Sequence, residues 1–121
     1  MSYYNIVMKL RDFAPRLLID PKKLTDYALS ETHPRGKHKA RVFRTILGYT
    51  SNNYEELLQQ IEAQASEAEA VVQRIDGYGQ HLRADLTIKG VAGQEVMVRT
   101  GWLIAPDSDA AFLSTLYVIG A

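Results

Sequence analysis

The stretch HLRADLTIK, residues 81–89, alternates apolar and polar side chains along its length. Apolar residues at every second position are typical of a β-strand with one buried face. The same alternation returns from Val96 to Ile104 after the turn KGVAGQ, and a third strand is predicted from Phe112 to Ile119. Because the loops between these strands are short, they favour an antiparallel meander.

Helices are predicted before this meander. Asp20 and Pro21 indicate a helix start, since Asp can cap free N–H groups and Pro suits the first helical position. A second helix is predicted from Lys37 to a C-cap at Gly48, and a third from about Asn53 to Val72. Residues 1–19 have no clean period and are interpreted as a short strand or an ordered arm. The expected fold class is α+β, with N-terminal helices packed on a C-terminal antiparallel sheet.

Length and composition are those of one ordinary globular domain. The chain has 121 residues, of which 46% are hydrophobic and 23% charged, and it contains no cysteine. No apolar run is long enough to span a bilayer, and the N-terminus lacks the pattern of a signal peptide. We expect a single-domain, soluble, cytoplasmic protein that does not associate with a membrane.

Charge is unevenly distributed along the chain. Residues 1–50 carry ten Lys or Arg against four acids, residues 51–76 have a net charge of −5, and the whole chain is neutral. The densest positive stretch is HPRGKHKARVF, residues 33–43, in which six of eleven residues are Lys, Arg or His. Such polarity suits an anionic ligand or an acidic partner. It is also compatible with two oppositely charged helix surfaces that only pack or stay solvated.

Several classes of function lack their motifs. The sequence has no phosphate-binding P-loop, no dinucleotide-binding fingerprint and no nucleophile elbow. Its three histidines, His33, His38 and His81, are not at metal-ligand spacing. Neither a metal nor an organic cofactor is therefore predicted.

The remaining polar residues suit the cleavage of RNA without a metal. The ribose 2′-hydroxyl is an internal nucleophile, so the protein has to supply proton transfer and positive charge at the phosphate. The catalytic candidates are a proton-transfer residue and three groups that can bind the phosphate: His38, Arg99, Thr115 and Tyr117. The substrate-binding candidates are Lys37, Arg41, Arg44 and Thr100. Each also has a structural interpretation; Arg99, for example, could pair with Asp85 across the sheet.

Five segments carry a family resemblance: KLTDYALSETHPRGKHKARVF with ILGYT, then YGQHLRADLTI, VRTGWLI and LSTLYV. Over about residues 20–119 the chain resembles a family of small bacterial proteins of unknown function, common in cyanobacteria and often encoded beside a second short protein. In layout it is more loosely similar to the barnase, EndoU and RelE-like ribonuclease toxins. That similarity implies the same site residues, with Lys37, His38 and Arg41 on a helix and Arg99, Thr100, Thr115 and Tyr117 on the strands.

Together these observations favour a metal-independent endoribonuclease of the toxin type. It would act on RNA and be restrained by a small antitoxin-like protein partner. The alternative is a non-catalytic interaction domain of a two-protein module, whose basic surface binds an acidic partner. A nucleic-acid-binding domain without chemistry is the third hypothesis.

Overall fold

One six-stranded sheet organises the molecule in the computed structural model, which describes residues 6–119. Its strands are β1 (Val7–Lys9), β2 (Arg16–Leu18), β3 (Glu69–Asp76), β4 (Gly79–Lys89), β5 (Glu95–Ile104) and β6 (Ala110–Val118). Their order across the sheet is β1-β3-β4-β5-β6-β2. All neighbours are antiparallel except β2 and β6, which run parallel. The predicted α+β class and the meander β4-β5-β6 are confirmed.

The helices precede most of the sheet along the chain. They are α1 (Leu10–Phe13), a π-helical segment Leu24–Ala28, α2 (Lys37–Val42) continued by a π-helical segment Phe43–Leu47, and α3 (Tyr54–Gln64) followed by a 3₁₀ turn Ala65–Glu67. The helix start predicted at Asp20 and Pro21 is confirmed, because the carboxylate of Asp20 accepts a hydrogen bond from the Lys22 N–H at 3.0 Å. Gly48 ends the second helical unit in the left-handed conformation, with φ of 80°.

The third helix is shorter than the sequence pattern predicts, and its extension to Val72 was wrong. The helix and its final turn end at Glu67, and Ala68 is already extended, with φ −71° and ψ 142°. The buried residues Ala70 and Val72 then alternate with more exposed neighbours, and β3 pairs with β4. Ile61, Ala65, Ala68 and Val72 keep a helical spacing of three to four, so the apolar pattern alone does not exclude a longer helix.

The first residues after the undescribed residues 1–5 form two short edge strands. β1 pairs with β3, in register from Val7 opposite Val71 to Lys9 opposite Glu69. β2 pairs with β6 at the opposite edge of the sheet. The segment expected to be a short strand or an arm therefore supplies both edges of the sheet, separated only by α1.

The helices pack on one face of the sheet, and α2 also contacts β6. Leu86, Val98 and Trp102 belong to the hydrophobic core, together with Phe43 and Leu57 from the helices. Along β4 and β5 the intervening side chains, including Asp85 and Arg99, are only half-buried. Since directly paired residues share a face, Tyr117 lies beside Arg99 on the face opposite the core. Polar residues of the sheet are thus concentrated on this face, and Lys39 of α2 reaches it at β6.

Candidate functional site

The loop before α2 is held tightly against the Leu24–Ala28 helix. Nδ1 of His33 accepts the backbone N–H groups of Arg35 and Gly36, both at 3.0 Å. The backbone of Gly36 lies so close to the carbonyl of Tyr27 that a Cβ at this position would overlap the carbonyl oxygen. His33 and Gly36 therefore fix where α2 begins relative to Tyr27.

Lys39 is the centre of the polar contacts between α2 and the sheet. Its ammonium donates to the Tyr27 hydroxyl at 2.7 Å and to the Thr115 hydroxyl at 3.0 Å. The same nitrogen lies 4.8 Å from the ring centroid of Tyr27 and 5.3 Å from that of Tyr117, within cation–π range. Lys39 thus joins side chains of the Leu24–Ala28 helix, α2 and β6 at one point.

These contacts change the pKa of the Tyr27 phenol. Its partial burial would raise the pKa of the phenol, but the hydrogen bonds from Lys39 and Thr115 and the charge of Lys39 outweigh it. The net effect is that the pKa of Tyr27 is lowered from its usual value of 10.0. A tyrosine in this setting gives up its proton more readily than one in water.

A shallow groove of about 270 Å³ lies beside the Lys39 cluster. It is lined by His38, Lys39, Val42, Tyr117 and Val118. His38 and Tyr117, two of the predicted catalytic residues, therefore border one groove, and Thr115 reaches the same place through its hydrogen bond to Lys39. Aliphatic walls next to a cation and an imidazole suit a ligand with both an apolar ring and a negative charge.

Arg99 makes the pairing with Asp85 that was the alternative to a catalytic role. The guanidinium contacts both carboxylate oxygens of Asp85, at 2.9 and 3.0 Å, from adjacent positions on β4 and β5. This pairing, and to a smaller extent the neighbouring Tyr117, raise the pKa of Arg99 further. Arg99 therefore lies beside Tyr117 on the neighbouring strand, and its charge is already paired with Asp85.

Thr100 does not join the other predicted site residues. It is fully buried, on the helix-covered face of β5. Its hydroxyl donates to the carbonyl of Ala84 at 2.5 Å and accepts the indole N–H of Trp102 at 2.8 Å. A substrate in the groove cannot reach this hydroxyl, so the structure assigns Thr100 a role in the core.

The remaining predicted binding residues lie on the solvent side of α2. Lys37 and Arg41 are exposed, and within residues 6–119 no carboxylate forms an ion pair with either. Arg44, one turn further on, is 3.0 Å from Glu31. Two positive charges of α2 that are unpaired within the described chain thus lie close to His38 along the helix.

Two residues of this cluster, Lys39 and Tyr27, were not among the sequence candidates. The periodicity offered a signal for Lys39, because it follows the buried Gly36 by three positions and precedes the buried Phe43 by four. A lysine on the buried side of a helix needs a partner for its charge. Tyr27 gave no such signal, because its spacing fits an ordinary apolar stripe.

The third histidine lies elsewhere. His81 is hydrogen-bonded to Asp76 at 2.9 Å in the hairpin that joins β3 and β4. In the part of the chain that the structure describes, no three His, Cys, Asp or Glu side chains are placed to hold a metal ion together. Nor does any helix between residues 6 and 119 have the length and apolar character to cross a membrane.

The sequence was compared with known families, proteins and structures. The model of a family described as a domain of unknown function (DUF6883) matches residues 9–120. The chain therefore belongs to this family, which agrees with the expected membership of a family of unknown function. No curated protein and no solved structure matches it.

Proposed function

We propose that this DUF6883 protein is a metal-independent endoribonuclease of the toxin type, acting in the cytoplasm as one half of a toxin–antitoxin module. The observation that carries the proposal is the position of Lys39. Its ammonium lies between Tyr27, Thr115 and the Tyr117 ring, at the groove that His38 also lines. Cleavage of RNA by its own 2′-hydroxyl requires proton transfer and stabilisation of the negative charge on the phosphate, which these side chains can supply.

The reaction needs no external nucleophile. The ribose 2′-oxygen attacks the adjacent phosphorus while its proton passes to the imidazole of His38. Negative charge develops on the phosphate oxygens, where Lys39 and the hydroxyl of Thr115 can donate hydrogen bonds. The bond from phosphorus to the 5′-oxygen then breaks, leaving a 2′,3′-cyclic phosphate on one product. Tyr117 supplies an aromatic face for a neighbouring base.

Three of the other predicted residues can support binding. Lys37 and Arg41 are free to contact phosphates on either side of the scissile bond, and Arg44 can do so when it leaves Glu31. The charge of Arg99 is already paired with Asp85, so we assign it no direct contact with the phosphate. Arg99 lies beside Tyr117 on the neighbouring strand and helps to position it.

The test is cleavage of a labelled single-stranded RNA by protein purified free of any bound partner, in the presence of EDTA. Cleavage should give 2′,3′-cyclic phosphate ends, and a substrate with one 2′-deoxyribose at the cleavage position should be resistant. His38→Ala should lower the rate by about 10²–10⁴-fold, the usual contribution of general acid–base catalysis. Absence of cleavage of every RNA tried, or cleavage that EDTA abolishes, would refute the proposal.

A second candidate is a non-catalytic interaction domain that binds a small acidic, antitoxin-like protein. Lys37 and Arg41 favour it, because they are exposed next to the aliphatic walls of the groove, formed by Val42 and Val118. An acidic segment with one apolar side chain would match both features. Growth arrest on expression, relieved by His38→Ala, supports the ribonuclease. Tight, salt-sensitive binding of the neighbouring gene's product by inactive protein supports the interaction domain, and RNA binding without cleavage indicates a nucleic-acid-binding domain.

A further inference from the structure

Cleavage by the 2′-hydroxyl requires two proton transfers, and His38 accounts for one of them. Neither of the other two histidines lines the groove beside Lys39. Nδ1 of His33 accepts two backbone N–H groups of its own loop. His81 is bonded to Asp76 in the β3–β4 hairpin. A tyrosine hydroxyl is another group that can protonate the departing 5′-oxygen.

The Tyr27 hydroxyl has the contacts that such a proton donor needs. Its oxygen accepts a hydrogen bond from Lys39 at 2.7 Å, and its other polar contact is with the Thr115 hydroxyl, which Lys39 also contacts. Because a hydroxyl proton rotates between acceptors, it is available to a ligand that binds at Lys39. Lys39 also borders the groove that His38 lines, so the phenol lies next to the proposed reaction site.

The surroundings of Tyr27 stabilise the anion that proton donation would leave. The Lys39 ammonium is hydrogen-bonded to the phenol oxygen and also packs over the ring. Partial burial opposes these contacts, which nevertheless lower the pKa of Tyr27. A phenol whose pKa is lowered donates its proton more readily and is therefore suited to act as a general acid.

We propose that Tyr27 is the general acid that protonates the 5′-oxygen and that Lys39 stabilises the tyrosinate formed. The inference rests on the proposed ribonuclease function. As the 2′-oxygen bonds to phosphorus, its proton passes to His38. The bond from phosphorus to the 5′-oxygen breaks with its electron pair on that oxygen, which takes the Tyr27 proton. Water then carries the proton from His38 back to Tyr27.

The experiment compares two substrates that differ only in their leaving group. One is a ribonucleoside 3′-phosphodiester with an ordinary alkoxide leaving group, and the other carries p-nitrophenolate, which departs without being protonated. Tyr27→Phe keeps the ring against Lys39 and His33 while removing the hydroxyl. We expect it to slow cleavage of the first substrate by about 10²–10⁴-fold and of the second by less than about tenfold. His38→Ala should slow both, and Tyr78→Phe, at an exposed position in the β3–β4 hairpin, should slow neither.

Two outcomes separate this inference from the proposed function. If the wild-type protein cleaves neither substrate, the ribonuclease function is refuted. If it cleaves both and Tyr27→Phe is as fast as wild type on the first substrate, only the role of Tyr27 is refuted.

A titration of Tyr27, followed by NMR of its ring, provides a readout that does not depend on activity. Lys39→Met should raise the pKa of Tyr27, and an unchanged pKa would contradict the stabilising role of Lys39. In the wild-type protein, the alkaline limb of the kcat/KM profile should coincide with the titration of Tyr27 for the alkoxide substrate. It should disappear for the p-nitrophenyl substrate. A limb that persists with p-nitrophenolate would refute the role of Tyr27 even if Tyr27→Phe does not fold.

Discussion

Trp102 and Thr100 are buried together under the helices. The indole N–H of Trp102 donates to the Thr100 hydroxyl, which in turn donates to the carbonyl of Ala84 on the neighbouring strand. Buried polar groups are costly unless they are hydrogen-bonded, and here every one of the three has a partner. A single threonine therefore allows a large aromatic residue with a polar group to occupy the core.

Thr100→Val should destabilise the protein by about 1–3 kcal/mol, since the indole N–H and the carbonyl of Ala84 would lose their shared partner at almost constant volume. Thr100→Ser keeps the hydroxyl and should retain the hydrogen bonds, with a smaller loss from the missing methyl group. Urea denaturation, followed by Trp102 fluorescence, measures both variants. Equal stability of the valine variant and the wild type would show that a water or a rearrangement replaces the hydroxyl.

At the scale of secondary-structure elements, the junction between the Leu24–Ala28 helix and α2 depends on Gly36. Its backbone packs directly against the carbonyl of Tyr27, and no side chain fits between them. The junction also sets the distance between Tyr27 and Lys39, which belong to the two elements that it joins. Close packing of the backbone is therefore a condition for the geometry of the site.

Gly36→Ala should lower stability by about 1–3 kcal/mol or more, the usual cost of forcing an additional methyl group into a filled space. Gly77→Ala is the matched control, because a Cβ at Gly77 has no heavy atom within 4 Å. Thermal unfolding followed by circular dichroism should separate the two variants clearly. Similar melting temperatures would mean that the loop can move away from Tyr27 at little cost.

The β3–β4 hairpin contains a carboxylate with an altered pKa. The hydrogen bond from His81 is the largest of the contacts that lower the pKa of Asp76 to about 2, and Tyr78 and Arg74 add to it. Since the pKa is lower in the folded state than its usual value of 3.8, the ionised carboxylate stabilises the fold above that value. This contribution is lost as the pH falls from 3.8 towards 2.

Asp76→Asn should therefore lower the melting temperature at neutral pH, and its difference from wild type should shrink as the pH approaches about 2. Asp12→Asn serves as the control, because the Asp12 side chain makes no hydrogen bond to residues 6–119. A difference that stays constant across the acid range would show that Asp76 contributes through its shape and not through its charge.

Some of the strands could be predicted from the sequence, and others could not. Alternation along β4 and β5 predicted the meander, since a period of two is unambiguous over ten residues. It did not predict β3, because Ala68 and Val72 fit a helix as well as a strand. Long-range pairing with β4 decided between them. Local spacing likewise could not place Thr115 beside Lys39, which is 76 residues away.

At the scale of the whole molecule, the charges pair unevenly. Several cations of the basic N-terminal half have a carboxylate partner: Lys9 and Arg11 with Glu67, Arg16 with Asp109, and Arg44 with Glu31. Lys37 and Arg41 have none among residues 6–119, and they are exposed on one side of α2. A neutral protein thus retains a local positive surface next to the groove, which is where an anionic ligand would be attracted.

This surface predicts the salt dependence of RNA binding. Each cation that no longer neutralises a phosphate of a single strand lowers the slope of log affinity against log salt concentration by about 0.7, so Lys37→Gln with Arg41→Gln should lower it by about 1.4. Lys9→Gln with Arg11→Gln removes the same charge from residues paired with Glu67 and should leave the slope unchanged. Fluorescence anisotropy with a labelled RNA, using His38→Ala as background to prevent cleavage, measures both.

The melting temperature of the first double variant should stay close to that of the background, because exposed charges contribute about 0–1 kcal/mol each. An equal change of slope in the two double variants would mean that RNA responds to net charge alone, and that the start of α2 is not its binding surface.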